Sequence, residues 1–222
     1  MTQTTISVQG QYTAWYTPER ATVVVSIAFD GPHRNSVFSS ATAALESVRE
    51  TVAGRHDAQS GPITWWSADT LRVWSERPWN AEGAQLDPVH HAALDLTAKF
   101  SDFEALAAWI EQIVAISGVH VSGIQWSLTD ATYTSATTEV RSRAVKDAVA
   151  KATVYAQSIG LATVSATAIA DPGMLGDGGS PIPVSSDRMM MKSGFAADAA
   201  ALELKPEQIE VSAAVDARFT AH

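Results

Sequence analysis

The sequence predicts an α+β fold, a mainly antiparallel sheet with helices packed on one side, and three observations point to it. The first four segments with period-two alternation come in two pairs. Each pair leads into a segment whose apolar residues recur every three or four positions. The resulting order, ββα, ββα, βα, β, long loop, β, has the hairpins of an antiparallel sheet rather than the strand–helix alternation of a doubly wound one. The two leading ββα units suggest an internal structural duplication, although they share little at the level of residues.

The first strand covers Thr4 to Tyr12, with Ile6, Val8 and Tyr12 on one face. Pro18-Glu19-Arg20 punctuates, and a second strand follows from Ala21 to Asp30, with Val23, Val25, Ile27 and Phe29 sharing a face. Gly31-Pro32 stops it. From Ser36 to about Gly54 the period changes, and Val37, Ala41, Ala44, Leu45, Val48 and Val52 mark an amphipathic helix. A polar turn at Asp57 to Gly61 precedes one long extended stretch, Ile63 to Trp79. Its hairpin partner runs from Val89 to Phe100, with Ala92, Leu94, Leu96, Ala98 and Phe100 on one face and His91, Asp95 and Lys99 on the other.

Ser101 and Glu104 have the spacing of a capping box, in which two side chains satisfy orphan amides at a helix start. The helix after it buries Phe103, Leu106, Ile110 and Ile113 and ends by Gly118. A strand from Val119 to Leu128 follows, with Ile124, Trp126 and Leu128 inward. The longest helix spans about Thr132 to Ile159 and stops at Gly160. Its stripe of Val140, Ala144, Ala148, Ala152 and Tyr155 is narrow and rich in alanine, which combines high helix propensity with close approach to a sheet. Ala162 to Ala170 is a strand. The loop from Asp171 to Pro206 holds four prolines, five glycines and Met189-Met190-Met191; a loop of this length is uncommon inside a domain and is usually functional. The last strand, Ile209 to Phe219, alternates most regularly of all. No break in composition divides the 222 residues, which read as a single domain.

A chain of this length buries roughly 70% of its unfolded surface and needs no staples. Cysteine is absent, which excludes disulfides, thiolate metal sites and thiol catalysis. The net charge of −9 and the lack of a dense basic stretch argue against nucleic acid as a partner. Arg141, Arg143, Lys146 and Lys151 are interleaved with Glu139 and Asp147 and read as a solvated helix face. No apolar run is long enough for a membrane span. The opening Met1-Thr-Gln-Thr-Thr lacks the basic and apolar regions of a signal, so the chain as written is expected to be cytoplasmic; an envelope location would require an upstream signal already removed.

Few residue patterns in the chain point to chemistry. His90 and His91 are adjacent on a strand and point to opposite faces, so they do not share an ion. His33, His56, His120 and His222 have no ligand spacing, and no metal or other cofactor is expected. There is no G-x-S-x-G elbow, Walker sequence or dinucleotide fingerprint. Asp177-Gly178-Gly179 lacks the alternating acidic ligands of a calcium loop. The aromatic residues say more. With Leu71 and Val73 setting the inward parity, Trp74 falls on the opposite face beside Arg72 and Glu76, across from His91, Asp95 and Lys99. Trp and Arg there fit packing under a helix, a subunit contact or a ligand-stacking surface. Met189, Met190 and Met191 fit a soft, adaptable docking patch better than a copper(I) site.

Three stretches carry a family resemblance. Ile6-Ser-Val-Gln-Gly10, followed by Pro18-Glu-Arg-Ala-Thr-Val-Val-Val-Ser26, is similar to the opening strand pair of the SIMPL domain family, with Glu19 where Asp is commoner. Gly118-Val-His-Val-Ser-Gly-Ile-Gln-Trp126 resembles another strand of that family. Arg141-Ser-Arg-Ala-Val-Lys-Asp-Ala-Val-Ala-Lys-Ala152 through Tyr155-Ala-Gln-Ser-Ile-Gly160 resembles its long helix, with Ser142 near a usual alanine. The resemblance spans nearly the whole chain. It implies a bacterial protein with a mixed α+β fold, self-assembly, relatives in the envelope or linked to stress tolerance, and no agreed catalytic residues.

The expectation is therefore a non-catalytic binding or scaffold protein acting as a homo-oligomer, with Arg72, Trp74 and Met189 to Met191 as contact residues. The competing expectation is a small-ligand receptor or an enzyme whose pocket lies under the 171–206 loop.

Overall fold

The computed structural model of the chain describes residues 3–175 and 204–222. In order, the elements are β1 (Thr4–Tyr16), β2 (Arg20–Gly31), α1 (Arg34–Ala53), β3 (Ile63–Ala68), β4 (Arg72–Glu76), β5 (Val89–Phe100), α2 (Phe103–Val114), β6 (Val119–Ser127), α3 (Asp130–Ser158), β7 (Val164–Ala170) and β8 (Ile209–Ala221). The class is α+β, and every pairing between these strands is antiparallel. There are two sheets rather than one, each in its own compact unit.

One unit holds residues 3–17, 128–175 and 208–222. Its sheet has the order β1-β8-β7, and β1 pairs with β8 along its whole length, from Thr4 opposite Ala221 to Tyr16 opposite Ile209. The expected pairing of the first two strands as a hairpin is thus replaced by pairing between the two ends of the chain. The proposed duplication of ββα units loses its basis for the same reason. β8 alternates as expected, with Val211, Val215, Ala217, Phe219 and Ala221 buried.

Helix α3 covers one face of this sheet through Ala136, Val140, Ala144, Ala148, Ala152 and Ala156. Tyr155, placed on that stripe from sequence, is exposed, and Ala156 takes the buried position. The small side chains let the helix backbone reach the sheet, and Gly10 of β1 completes the approach. A Cβ at Gly10 would fall inside van der Waals contact of the Ala144 carbonyl, 2.6 Å from Ala148 N and 2.7 Å from Ala148 Cβ. The helix ends as predicted at Gly160, whose φ of 82° suits glycine. Gly160 N–H donates to Gln157 O and Leu161 N–H to Ala156 O, the two bonds of a Schellman cap.

Polar contacts hold the helix to β1 as well. Asp147 accepts from Lys151 Nζ at 2.7 Å and from Gln11 N at 2.9 Å, and Lys151 donates to Gln9 O at 3.0 Å. The Lys151 hydrogen bond first, then the Gln11 amide, hold the Asp147 carboxyl below the ordinary aspartate value. A depressed folded-state value contributes stability that is present above the unfolded pKa, about 4, and is lost as pH falls through the folded value. The wild type is therefore expected to lose stability more steeply than Asp147→Asn as pH falls from about 5 to about 2. Urea midpoints measured across that range check this; parallel curves would show that the contact contributes nothing to the acid limb.

The other unit holds residues 18–127 and 204–207. Its sheet has the order β3-β5-β2-β6, with β4 pairing beside β3 on β5. Helices α1 and α2 lie on one face. Val23, Val25 and Ile27 of β2 and Leu94, Leu96, Ala98 and Phe100 of β5 form a core with Val48 and Val52 of α1 and Leu106, Trp109, Ile110 and Ile113 of α2. Trp109 is fully buried. It donates from Nε1 to Thr51 Oγ1 at 2.8 Å and packs its ring against Phe100 at 5.2 Å between centroids.

Two local expectations change. The extended stretch from Ile63 to Trp79 is broken into β3 and β4. Ala68 pairs with Leu96 and Arg72 with Ala93, so three residues stand opposite two and the ladder is interrupted. The α2 cap is Asp102, which accepts from Glu104 N at 2.9 Å and Ala105 N at 3.0 Å, while Ser101 Oγ instead donates to Gly61 O at 3.0 Å. Aspartate one position later satisfies the same orphan amides with a full negative charge at the positive end of the helix.

Candidate functional site

The face of the five-stranded sheet opposite α1 and α2 carries the residues singled out from sequence. Residues directly opposite in an antiparallel pair share a face. Val73 opposite Ala92 packs inward with Leu71, Val37 and Ala41, so Trp74 opposite His91 and Arg72 opposite Ala93 point the other way. Trp74 is 45% exposed. Its indole stacks on the His91 ring at 5.2 Å with 20° between planes, so a cross-strand partner supports one side of it. His91 Nε2 is buried and faces Glu76 Oε1 at 3.4 Å without hydrogen-bond alignment; protonation of the imidazole would make this an ion pair. His90 points inward, and its Nδ1 lies 2.6 Å from Ser75 Oγ. Among the described residues no carboxylate bonds the other His90 nitrogen, so this pair lacks the orienting third group of a nucleophilic triad.

Farther along the same face, Ser26 Oγ donates to Asp95 Oδ1 at 2.5 Å and lies 2.6 Å from Ser122 Oγ, giving a polar strip across β5, β2 and β6. Lys99 pairs with Trp65, which is 49% exposed. The two indoles sit opposite His91 and Lys99, eight residues and about 26 Å apart along β5. Trp79, in the turn after β4, is 67% exposed. Trp65 was not assigned to this face from sequence, and the pairing explains why. Counting by two from buried Ile63 puts Trp65 inward. A register shift between Ile63 and Trp65 turns Trp65 out and Trp66 in, where Arg49 lies over the Trp66 ring at 5.8 Å.

The basic face of α3 is solvent-exposed at Arg141, Arg143 and Lys146, as expected, and carries local contacts. Arg143 donates from Nε to Glu139 Oε1 at 2.9 Å and covers the Tyr12 ring at 5.1 Å, and Tyr16 Oη lies 3.5 Å from Glu139 Oε2. Desolvation, then the Glu139 charge, push the Tyr16 phenol above its ordinary value. Ser135, Thr138, Glu139, Ser142, Arg143 and Lys146 share one exposed face of α3. No set of three potential metal ligands gathers among the described residues. No helix there is long and apolar enough to cross a membrane. Met189, Met190 and Met191, most of the 171–206 loop, and Asp177 to Gly179 lie outside the described residues.

The sequence model of the SIMPL family, described as a protein of unknown function (DUF541), matches residues 6–219. No curated protein matches the chain. The match runs through both units, and the chain belongs to the SIMPL family.

Proposed function

We propose that this SIMPL-family protein is a non-catalytic binding or scaffold protein that acts as a homo-oligomer, with the Trp74 face of the five-stranded sheet as a contact surface. The observation that carries this reading is the exposure of Trp65 and Trp74 on the sheet face opposite α1 and α2, with Trp79 exposed in the adjoining turn. Large indoles in water leave apolar area that a partner surface would remove, and interface hot spots are enriched in tryptophan and arginine. Arg72, one sheet position from the stacked Trp74–His91 pair, adds the second residue type. The match from residue 6 to residue 219 supports treating both units as one SIMPL-like domain.

Light scattering on a sizing column, at several concentrations, tests the reading. The wild type is expected to run above the monomer mass of 23.6 kDa. Trp74→Glu places a charge in the contact and is expected to raise the dissociation constant by about 30-fold, the size of a hot-spot loss. A concentration-independent wild-type monomer would overturn the homo-oligomer. A Trp74→Glu protein with wild-type mass and melting temperature would clear this face of a subunit role.

A further inference from the structure

Near the start of β5, His91 sits among groups that favour the charged form of its ring. On the β4 side the ring stacks on Trp74 at 5.2 Å, and Nε2 faces Glu76 Oε1 at 3.4 Å. On the β2 side Asp30 is directly opposite and shares the face. Arg72, two residues before Trp74 on the same face, is a like charge. Along β5 itself the next charged residue on this face is Asp95, four positions away.

His91 Nε2 is buried without a hydrogen-bond partner, a condition native structures seldom leave unexplained. At 3.4 Å and out of alignment, the Glu76 carboxylate is a poor acceptor but lies within ion-pair range. Coulomb attraction, unlike a hydrogen bond, does not depend on that angle. Protonation therefore supplies what the neutral ring lacks: an N–H at Nε2, and a charge attracted by two carboxylates and by the face of the indole. His90, on the other face, is different. Its partner Ser75 Oγ can donate to a neutral Nδ1 or accept from a protonated one, so that contact survives titration.

The strand that His91 grips has little else to hold it. β4 has five residues, is cut off from β3 by the interruption between Ala68 and Arg72, and among the described residues pairs only with β5. Short edge elements of this kind lie at the low end of local stability. We infer that His91 is a proton-operated clamp. As imidazolium it holds β4, with Trp74, against β5; as neutral imidazole it lets the strand open more often. The hold is present at acidic pH and lost as pH rises through the imidazole range, about 6 to 7. The clamp works within one chain, so it goes beyond the assembly reading and does not depend on it.

The test is amide hydrogen exchange of the full chain at about pH 5.5 and about pH 8, on either side of that range, with rates corrected for intrinsic exchange and the mass followed by light scattering. Opening of wild-type β4, relative to the β2–β6 amides, is expected to be about fivefold more frequent at the higher pH, the size of an exposed ion pair with a ring contact. Glu76→Gln keeps the size of a side chain that is 63% exposed and removes its charge, so the fold is kept and most of the difference is expected to vanish. His91→Gln is expected to abolish it. Equal β4 protection at both pH values in the wild type would overturn the clamp. A pH dependence that survives Glu76→Gln and His91→Gln would belong to another group, and one that tracks a change in mass would belong to assembly; either overturns it as well. Should His91→Gln fail to fold, Glu76→Gln decides alone. A monomer at both pH values that keeps the fivefold difference would support the clamp while overturning the homo-oligomer.

Discussion

Gly10→Ala is expected to cost about 2–4 kcal/mol of folding stability, the range of severe overpacking, although it adds only one methyl group to a buried strand residue. The added Cβ meets backbone: the Ala144 carbonyl and the Ala148 nitrogen of α3, as well as Ala148 Cβ. Backbone in the middle of a helix does not rotate aside, so α3 must lift from β1. Lifting would also loosen the Asp147–Gln11 and Lys151–Gln9 bonds. Urea denaturation with an unchanged slope measures the loss. The double variant Gly10→Ala with Ala148→Gly identifies its cause. Removing Ala148 Cβ leaves both backbone clashes in place, so little rescue is expected. Full rescue would mean that side-chain crowding alone was responsible.

Trp109→Ala is expected to cost about 3–5 kcal/mol, the usual range for emptying a fully buried aromatic position. The indole fills the space between α2, α1 and β5, so its removal leaves Phe100 without its ring partner and Thr51 Oγ1 without its donor. Trp109→Phe separates the two contributions. It keeps an aromatic ring and loses the hydrogen bond, for which about 1 kcal/mol is expected, plus the smaller volume. A Trp109→Ala midpoint close to wild type would show that this part of the core collapses around the gap. Comparison with Gly10→Ala also reads the two units of the chain separately, since one change lies in each.

Much of the candidate site was legible. Leu71 and Val73 set the parity that puts Arg72 and Trp74 outward, and β4–β5 pairing places Trp74 on His91 as the alternation implies. Trp65 was illegible because a single unpaired residue, Thr64, reverses the parity of everything after it, and a bulge leaves no mark in hydrophobic periodicity. The cap of α2 was misplaced by one residue because Ser101 and Asp102 are both good caps; the Gly61 carbonyl, forty residues away, claims the serine hydroxyl. Tyr155 was placed on the buried stripe of α3 by its spacing from Ala152, but the stripe continues by fours to Ala156.

By itself the sequence determined the local states: which segments are strands, which are helices, where α3 stops, and which face of β8 is apolar. Those properties depend on neighbours two to four residues apart, the range over which alternation, helical period and a glycine cap operate. Family membership was legible for the same reason, since its motifs are continuous strings within single elements or one strand pair. Only the tertiary structure decided which strands meet. The first strand leaves its neighbour to pair with the last, two sheets form where one was expected, and a glycine in the first motif proves to be where the long helix rests. Antiparallel pairing depends on a backbone ladder that every extended segment offers alike, so partner choice is settled by the packing of whole elements and by loop closure, not by any local string.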